Sequence, residues 1–164
     1  MSDFSWFALN TKPGSEKAVA FALRQKGYEE FVPLCREERR WSDRFKEVEL
    51  ALFPGYLFCR FGSEDRLRVL TTPAVTSIVG FGNTPAPVAD QQILAIQAMI
   101  RSGLPLEPWH FLELGQPVRI ERGPLRGLQG VLVQVKDLCR VVLSVTLLRR
   151  SVAVEIDRDM IHSA

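Results

Sequence analysis

The sequence predicts an α+β chain in two parts, an α/β sandwich with a split βαβ order followed by a small β-barrel. Three observations predict it. Strand-length apolar runs alternate with amphipathic helical stretches as far as residue 101. Beyond that point helical periodicity stops, and short β-branched runs separated by turn residues take over. Between the two lies Ser102-Gly103-Leu104-Pro105-Leu106-Glu107-Pro108-Trp109, whose glycine and prolines mark a linker.

The elements follow in order. Trp6-Phe7-Ala8-Leu9 reads as a buried strand, and Asn10 to Ser15 as a turn. Ser15 is placed to N-cap a helix over 16–26, with Ala18, Val19, Ala22 and Leu23 on its apolar face. Glu16 near its start and Arg24 and Lys26 near its end suit the helix dipole, and Gly27 stops it. Phe31 to Leu34 is a second strand. The charged run 36–46 then projects as a hairpin or loop, and 48–53 alternates like a half-buried strand. Pro54-Gly55 breaks the chain before the aromatic strand 56–61. A short helix begins at Ser63 and ends by Pro73, 75–79 is a further strand, and 80–83 is a turn. Asp90 is placed to N-cap a third helix to about Arg101, with Ile93, Leu94, Ile96 and Ile100 for packing. The β-rich runs beyond the linker are 118–120, 130–135, 140–148 and 152–156. Four or five short strands in about 50 residues suit a small barrel.

Composition narrows the function. The 164 residues are 46% hydrophobic and 24% charged, the balance of a folded globular chain. Lys and Arg total 21 against 19 for Asp and Glu, so a polyanion binder driven by bulk charge is excluded while a local basic surface is not. Cys35, Cys59 and Cys139 include no C-x-x-C pair, and His110 and His162 are the two histidines. Neither a disulfide framework nor a metal centre is expected, and no cofactor motif is present. No apolar run is long enough to span a bilayer, and the N-terminus has no secretory pattern. A cytoplasmic, reducing setting is expected. An enzyme reading finds no nucleophile–base signature, and no enzymatic activity is expected.

Two patterns carry function. In 118–130 an alternating strand runs into Gly123-Pro124, and Gly127 and Gly130 follow at turn or close-approach positions. This resembles the KOW motif. Phe53-Pro54-Gly55-Tyr56 leads into a strand on which Tyr56 and Phe58 share one side and Leu57 takes the other. Together with Trp6 to Pro13, Glu16-Lys17, Thr72-Pro73, Val75 and Val79-Gly80-Phe81, these motifs resemble the NusG family of transcription factors over almost the whole chain. The resemblance implies an N-terminal NGN domain at 1–102, a linker at 103–112 and an SH3-like KOW barrel at 113–164. The run of β-branched residues 141–145 favours a permanent barrel over a helical hairpin.

The resemblance also assigns roles. An NGN domain docks on the β′ clamp helices of RNA polymerase, which places Phe7, Ala8, Asn10, Phe53, Pro54, Gly55, Tyr56 and Phe58 at that contact. Asp65, Arg66 and Arg68 match the positions that approach the β gate loop, with a different chemistry from the His-Thr motif of a specialised paralogue. Lys12 matches a basic position that touches DNA in specialised paralogues. The hairpin residues Arg39, Arg40, Trp41 and Arg44 suit stacking and phosphate contact with non-template DNA. A solvated hairpin whose tryptophan packs on the sheet is the alternative. Leu147, Leu148 and Arg150 match the KOW positions that meet ribosomal protein S10 or Rho. The resulting expectation is a monomeric elongation factor that suppresses pausing or modulates termination, either housekeeping NusG or a specialised antiterminator. A stand-alone KOW-type RNA-binding or ribosome-associated protein is the rival.

Overall fold

The computed structural model describes residues 4–42, 44–112, 115–135 and 138–163, without the side chains of Arg39, Trp41 and Val135. The chain divides into two compact units, 1–33 with 53–93 and 34–52 with 94–164.

In the first unit, β1 (Ser5–Thr11) leads through a Pro-Gly turn to α1 (Glu16–Gln25) and β2 (Glu29–Phe31). After the hairpin of β3 (Leu34–Trp41) and β4 (Arg44–Ala51), the chain returns as β5 (Tyr56–Phe61). A 3-10 turn and α2 (Arg66–Leu70) follow, then β6 (Val75–Ile78). Three two-residue strands, β7 (Gly80–Phe81), β8 (Thr84–Pro85) and β9 (Pro87–Val88), lead to α3 (Asp90–Arg101), of which residues 94–101 are counted with the second unit. The sheet order is β2-β5-β1-β6, with β9 beside the first residues of β1, and its pairings are antiparallel.

Strand alternation sorts this sheet into two faces. Leu9, Leu57, Cys59 and Phe61 pack with Val19, Ala20 and Leu23 of α1 and Val69 of α2. The buried stripe of α1 is thus Glu16, Val19, Ala20 and Leu23, one step round from the face the sequence suggests, and Ala18 is exposed. Ser15 occupies the N-cap position without a side-chain cap bond, while the Glu16 carboxylate accepts from the Gly14 N–H at 2.8 Å. Asp90 lies inside α3 as its first residue, and the buried stripe there is Ile93, Ile96 and Met99, leaving Leu94 exposed. Among the described residues no helix is long and apolar enough to cross a membrane.

Cys59 lies wholly inside the first core, and burial, with Glu30 and Glu29 nearby, pushes its thiol up to about 12 from 9.0. Folding therefore favours the neutral thiol. Its contribution to stability is full below pH 9.0 and is lost as pH rises towards about 12. Native protein at neutral pH is expected to leave Cys59 untouched by a thiol reagent until urea unfolds the unit. Rapid native modification of Cys59 would show this core to be open.

In the second unit, the β3–β4 hairpin is regular from Leu34↔Ala51 to Trp41↔Arg44. Six strands form one antiparallel sheet, β10 (Leu106–Trp109), β11 (Gln116–Ile120), β12 (Gln129–Val135), β13 (Leu138–Val145), β14 (Arg150–Ile156) and β15 (Ile161–Ser163). Their order is β10-β14-β13-β12-β11-β15. Val118, Ile120, Val141, Val145, Val152 and Val154 are buried, and the described residues of 129–145 are strand rather than helix, as the sequence predicts. Two strands exceed the sequence reading. β15 is three residues long, and β10 lies in the segment read as linker. Pro108 disguises β10 in the sequence. A proline without a ladder donor is tolerated there because β10 is an edge strand.

Candidate functional site: a sheet face, a hairpin and a barrel turn

The face of the first sheet opposite α1 carries the aromatic turn. Phe53 O accepts from the Tyr56 N–H at 2.9 Å, closing a four-residue turn around Pro54-Gly55. Gly55 has φ +84°, the position of a type II turn that glycine supplies without strain. Its carbonyl also accepts from the Thr11 N–H at 2.8 Å, pinning the turn to the end of β1. The register then sets Asn10 opposite Tyr56 and Ala8 opposite Phe58, so these four share one face.

That face is filled rather than hollow. Ala8, Phe53 and Phe58 are 0% exposed. Phe58 meets Phe53 edge-on at 6.1 Å and stacks with Phe31 at 6.0 Å. Phe31 is a member of this cluster that the sequence reading missed, although β2 pairs Phe31 with Phe58. What reaches solvent is the turn, with Pro54 exposed and Asn10 and Tyr56 half-buried. Phe7 stands apart from this group. It lies on the helix side of the sheet against Phe61, with ring centroids 4.6 Å apart. Alternation along β1 separates it from Ala8 and Asn10.

The positions matched to the gate loop form a bonded cluster. Asp65 accepts from the Tyr28 hydroxyl at 2.8 Å, and the Arg68 guanidinium lies 5.5 Å over the same ring. Burial, then the hydrogen bond to Asp65, raises the Tyr28 phenol above its ordinary value. Arg66 donates to the Asn83 carbonyl, joining α2 to the β7–β8 turn. Lys26 donates to the Arg68 carbonyl and the Thr72 hydroxyl, each at 2.9 Å. These contacts fix α2 on its scaffold and leave Arg66 and Arg68 at the surface.

The hairpin divides its charges by face. Arg39↔Lys46 and Trp41↔Arg44 are same-face register positions, shared further down by Glu37↔Val48. Arg36↔Glu49, Glu38↔Glu47 and Arg40↔Phe45 occupy the other face, where Arg36 and Glu47 pair at 3.6 Å. Arg40 is therefore separated from Arg39 and Arg44, and Lys46 joins them. Period-two counting along the two strands finds Lys46, once the hairpin register is known. The stacking role of Trp41 rests on a side chain outside the described residues. Lys12 is exposed after β1, in the first unit, its N–H bonded to the Ala74 carbonyl at 3.0 Å.

In the barrel, Gly123 and Gly127 have φ near +90°, at +89° and +93°, and build the tight turn of the motif. Ile120 and Gly127 close it, with Gly127 N donating to Ile120 O at 2.7 Å. Gly130 serves differently, since a Cβ there would lie 2.6 Å from the Val142 carbonyl oxygen. At the opposite turn, Leu148 is buried, Leu147 half-buried and Arg150 exposed, so the two leucines do not form one exposed pair.

The first unit thus carries a pinned aromatic turn, and the second a charged hairpin and a glycine-turned barrel. A family model described as transcription termination factor nusG matches residues 4–97. The chain belongs to the NusG family and is a transcription termination/antitermination factor of that family. It is 28% identical to the transcription termination/antitermination protein NusG of Thermus thermophilus, over 97% of this chain and 98% of that protein. It is 27% identical to NusG of Escherichia coli K12, over 97% and 96%. A solved structure titled "Domain interaction in Thermotoga maritima NusG" covers 98% of this chain with a TM-score of 0.63 at 22% identity, a likeness of fold.

Proposed function

We propose that the chain is an elongation factor that docks on the β′ clamp helices of RNA polymerase through the face carrying Asn10, Pro54 and Tyr56. The observation that supports this reading most is the pinned Phe53–Tyr56 turn. Two fully buried rings, Phe53 and Phe58, hold it rigid beneath a surface proline and tyrosine. A preorganised aromatic anchor loses little freedom on binding, which suits the tip of a helical hairpin. Phe53, Phe58, Ala8 and Gly55 act as its support, and Phe7 supports the sheet from the other side.

In the same reading, residues 1–102 form the docking domain, 103–112 the connection and 113–164 the KOW domain. Arg66 and Arg68 meet the β gate loop from the scaffold that Tyr28 and Asp65 provide. The hairpin positions Arg39, Arg44 and Lys46, with Lys12, give weak contact to non-template DNA. Leu147 and Arg150 offer the barrel to ribosomal protein S10 or Rho. Bridging the polymerase cleft favours the elongating state over the paused one by differential binding.

Co-migration with a reconstituted elongation complex tests the docking face. Wild type is expected to co-migrate. Tyr56→Ala is expected to bind about 30-fold more weakly, the effect of losing one aromatic anchor of ~2 kcal/mol. Circular dichroism is expected to stay unchanged, because Tyr56 is only half-buried. Equal binding by the variant would remove this face from the interface.

A further inference from the structure

We propose that residues 106–112 are a strap, closed across the outside of the barrel, that opens when a protein partner seats at the β13–β14 turn. The inference rests on the reading of that turn as a partner site and goes beyond it.

The strap is built in two parts. β10 runs antiparallel to β14, pairing Leu106↔Val154, Glu107↔Ala153, Pro108↔Val152 and Trp109↔Ser151. Side chains reinforce it across β14. The Arg140 guanidinium binds the Glu107 carboxylate at 2.5 Å and lies 5.4 Å over the Trp109 ring. The chain then leaves the ladder and crosses onto the sheet surface. The Leu112 N–H donates to the Ser151 hydroxyl at 3.3 Å, and the Ser144 hydroxyl lies 2.6 Å from the Leu112 carbonyl. Ser144 and Ser151 face each other across β13 and β14, their hydroxyl oxygens 2.6 Å apart. Ser151 is buried at 1% exposure, so the crossing segment takes part in a polar contact at a buried rung.

This rung is next to the turn. Val145↔Arg150 is the following pair, and Thr146–Leu148 caps it. Arg149 sits in that turn at φ +51°, a left-handed conformation unusual for a side-chain-bearing residue. Its guanidinium lies 5.1 Å over the Phe111 ring of the strap. A groove of about 520 Å³ begins at the same place, lined by Leu112, Val131, Val142, Ser144 and Thr146 among others. A partner that covers Arg150 and reaches into this groove meets Leu112 as a wall and Arg149 already engaged. Strap and partner thus share one rung and one arginine. Closure by the strap lowers the fraction of chain competent to bind, and apparent affinity falls by the same factor.

The experiment uses full-length wild type, Phe111→Ala, and the double variant Phe111→Ala with Leu112→Pro. The proline removes the N–H that Ser151 accepts while leaving the barrel strands intact. Amide exchange reports the strap, and titration with purified ribosomal protein S10 of the same host reports the partner. Wild type is expected to protect amides of 106–112. The double variant is expected to lose that protection beyond Trp109 and bind S10 at least tenfold more tightly. Phe111→Ala, which keeps the backbone anchors, is expected to gain about threefold and serves if the proline variant misfolds. Free exchange throughout 106–112 in wild type overturns the proposal. Equal S10 affinity across the three chains overturns it while leaving the partner site standing. Absence of S10 binding by all three removes the partner reading and the strap's role with it.

Discussion

Phe58→Ala is expected to destabilise the first unit by about 3–5 kcal/mol, the usual effect of deleting a buried ring that its surroundings cannot refill. Phe58 is 0% exposed on the central strand β5. Phe31 stacks on it from β2, Phe53 meets it edge-on, and its cross-strand partner on β1 is the small Ala8. An alanine at 58 would face Ala8 on β1, so no large side chain stands on that side to close the gap, and Phe31 on β2 would lose the ring it stacks against. Urea unfolding followed through β1 and β5 resonances measures the loss. A change below about 1 kcal/mol would mean that the aromatic cluster repacks. The comparison with Tyr56→Ala separates two roles on one strand face. Position 58 supports the turn through packing, whereas position 56 is expected to change binding with the fold intact.

Gly130→Ala is expected to be the most damaging single-methyl change in the barrel. The new Cβ would approach the Val142 carbonyl oxygen at 2.6 Å and Val141 Cγ1 at 2.7 Å. The first neighbour is backbone in an adjacent paired strand, so relief requires β12 and β13 to part. A cost of about 1–3 kcal/mol follows from overpacking, at the upper end because a ladder has to move. Gly127→Ala makes a control of different physics. Open space surrounds Gly127, and its penalty comes from φ +93° alone. Thermal unfolding of full-length variants measures both. Equal stability of Gly130→Ala and wild type would show that the strand spacing yields.

Much of this architecture was legible from residue patterns. The helices α1, α2 and α3, the Pro-Gly break before β5 and the shift to β-rich composition all follow from periodicity and turn chemistry. What escaped reading was mostly a matter of parity and edges. Phe7 belongs with the motif in sequence, yet one step along a strand reverses a side chain, and it packs under α1 instead. Arg40 looks like a neighbour of Arg39 in sequence and lies on the opposite face of the hairpin for the same reason. β10 escaped because Pro108, with Pro105 just before it, reads as linker, although an edge strand accepts a proline. Leu148 follows Leu147 directly, but the 3-10 turn buries the second leucine and half-exposes the first. No pattern in a single sequence distinguishes those two.

The facial division of the hairpin has a bearing on ionic strength. Three cationic positions, Arg39, Arg44 and Lys46, share a face with Glu37, while the acidic majority lies behind. In the proposed contact with single-stranded DNA, so few phosphates release only about two counterions, and log K falls with log salt at a slope of about −2 or less. Such a contact contributes little affinity in free solution, and at that slope a fourfold rise in salt lowers it about sixteenfold. It becomes significant where the strand is already held nearby, so in the proposed role the hairpin would adjust a complex that other surfaces have assembled.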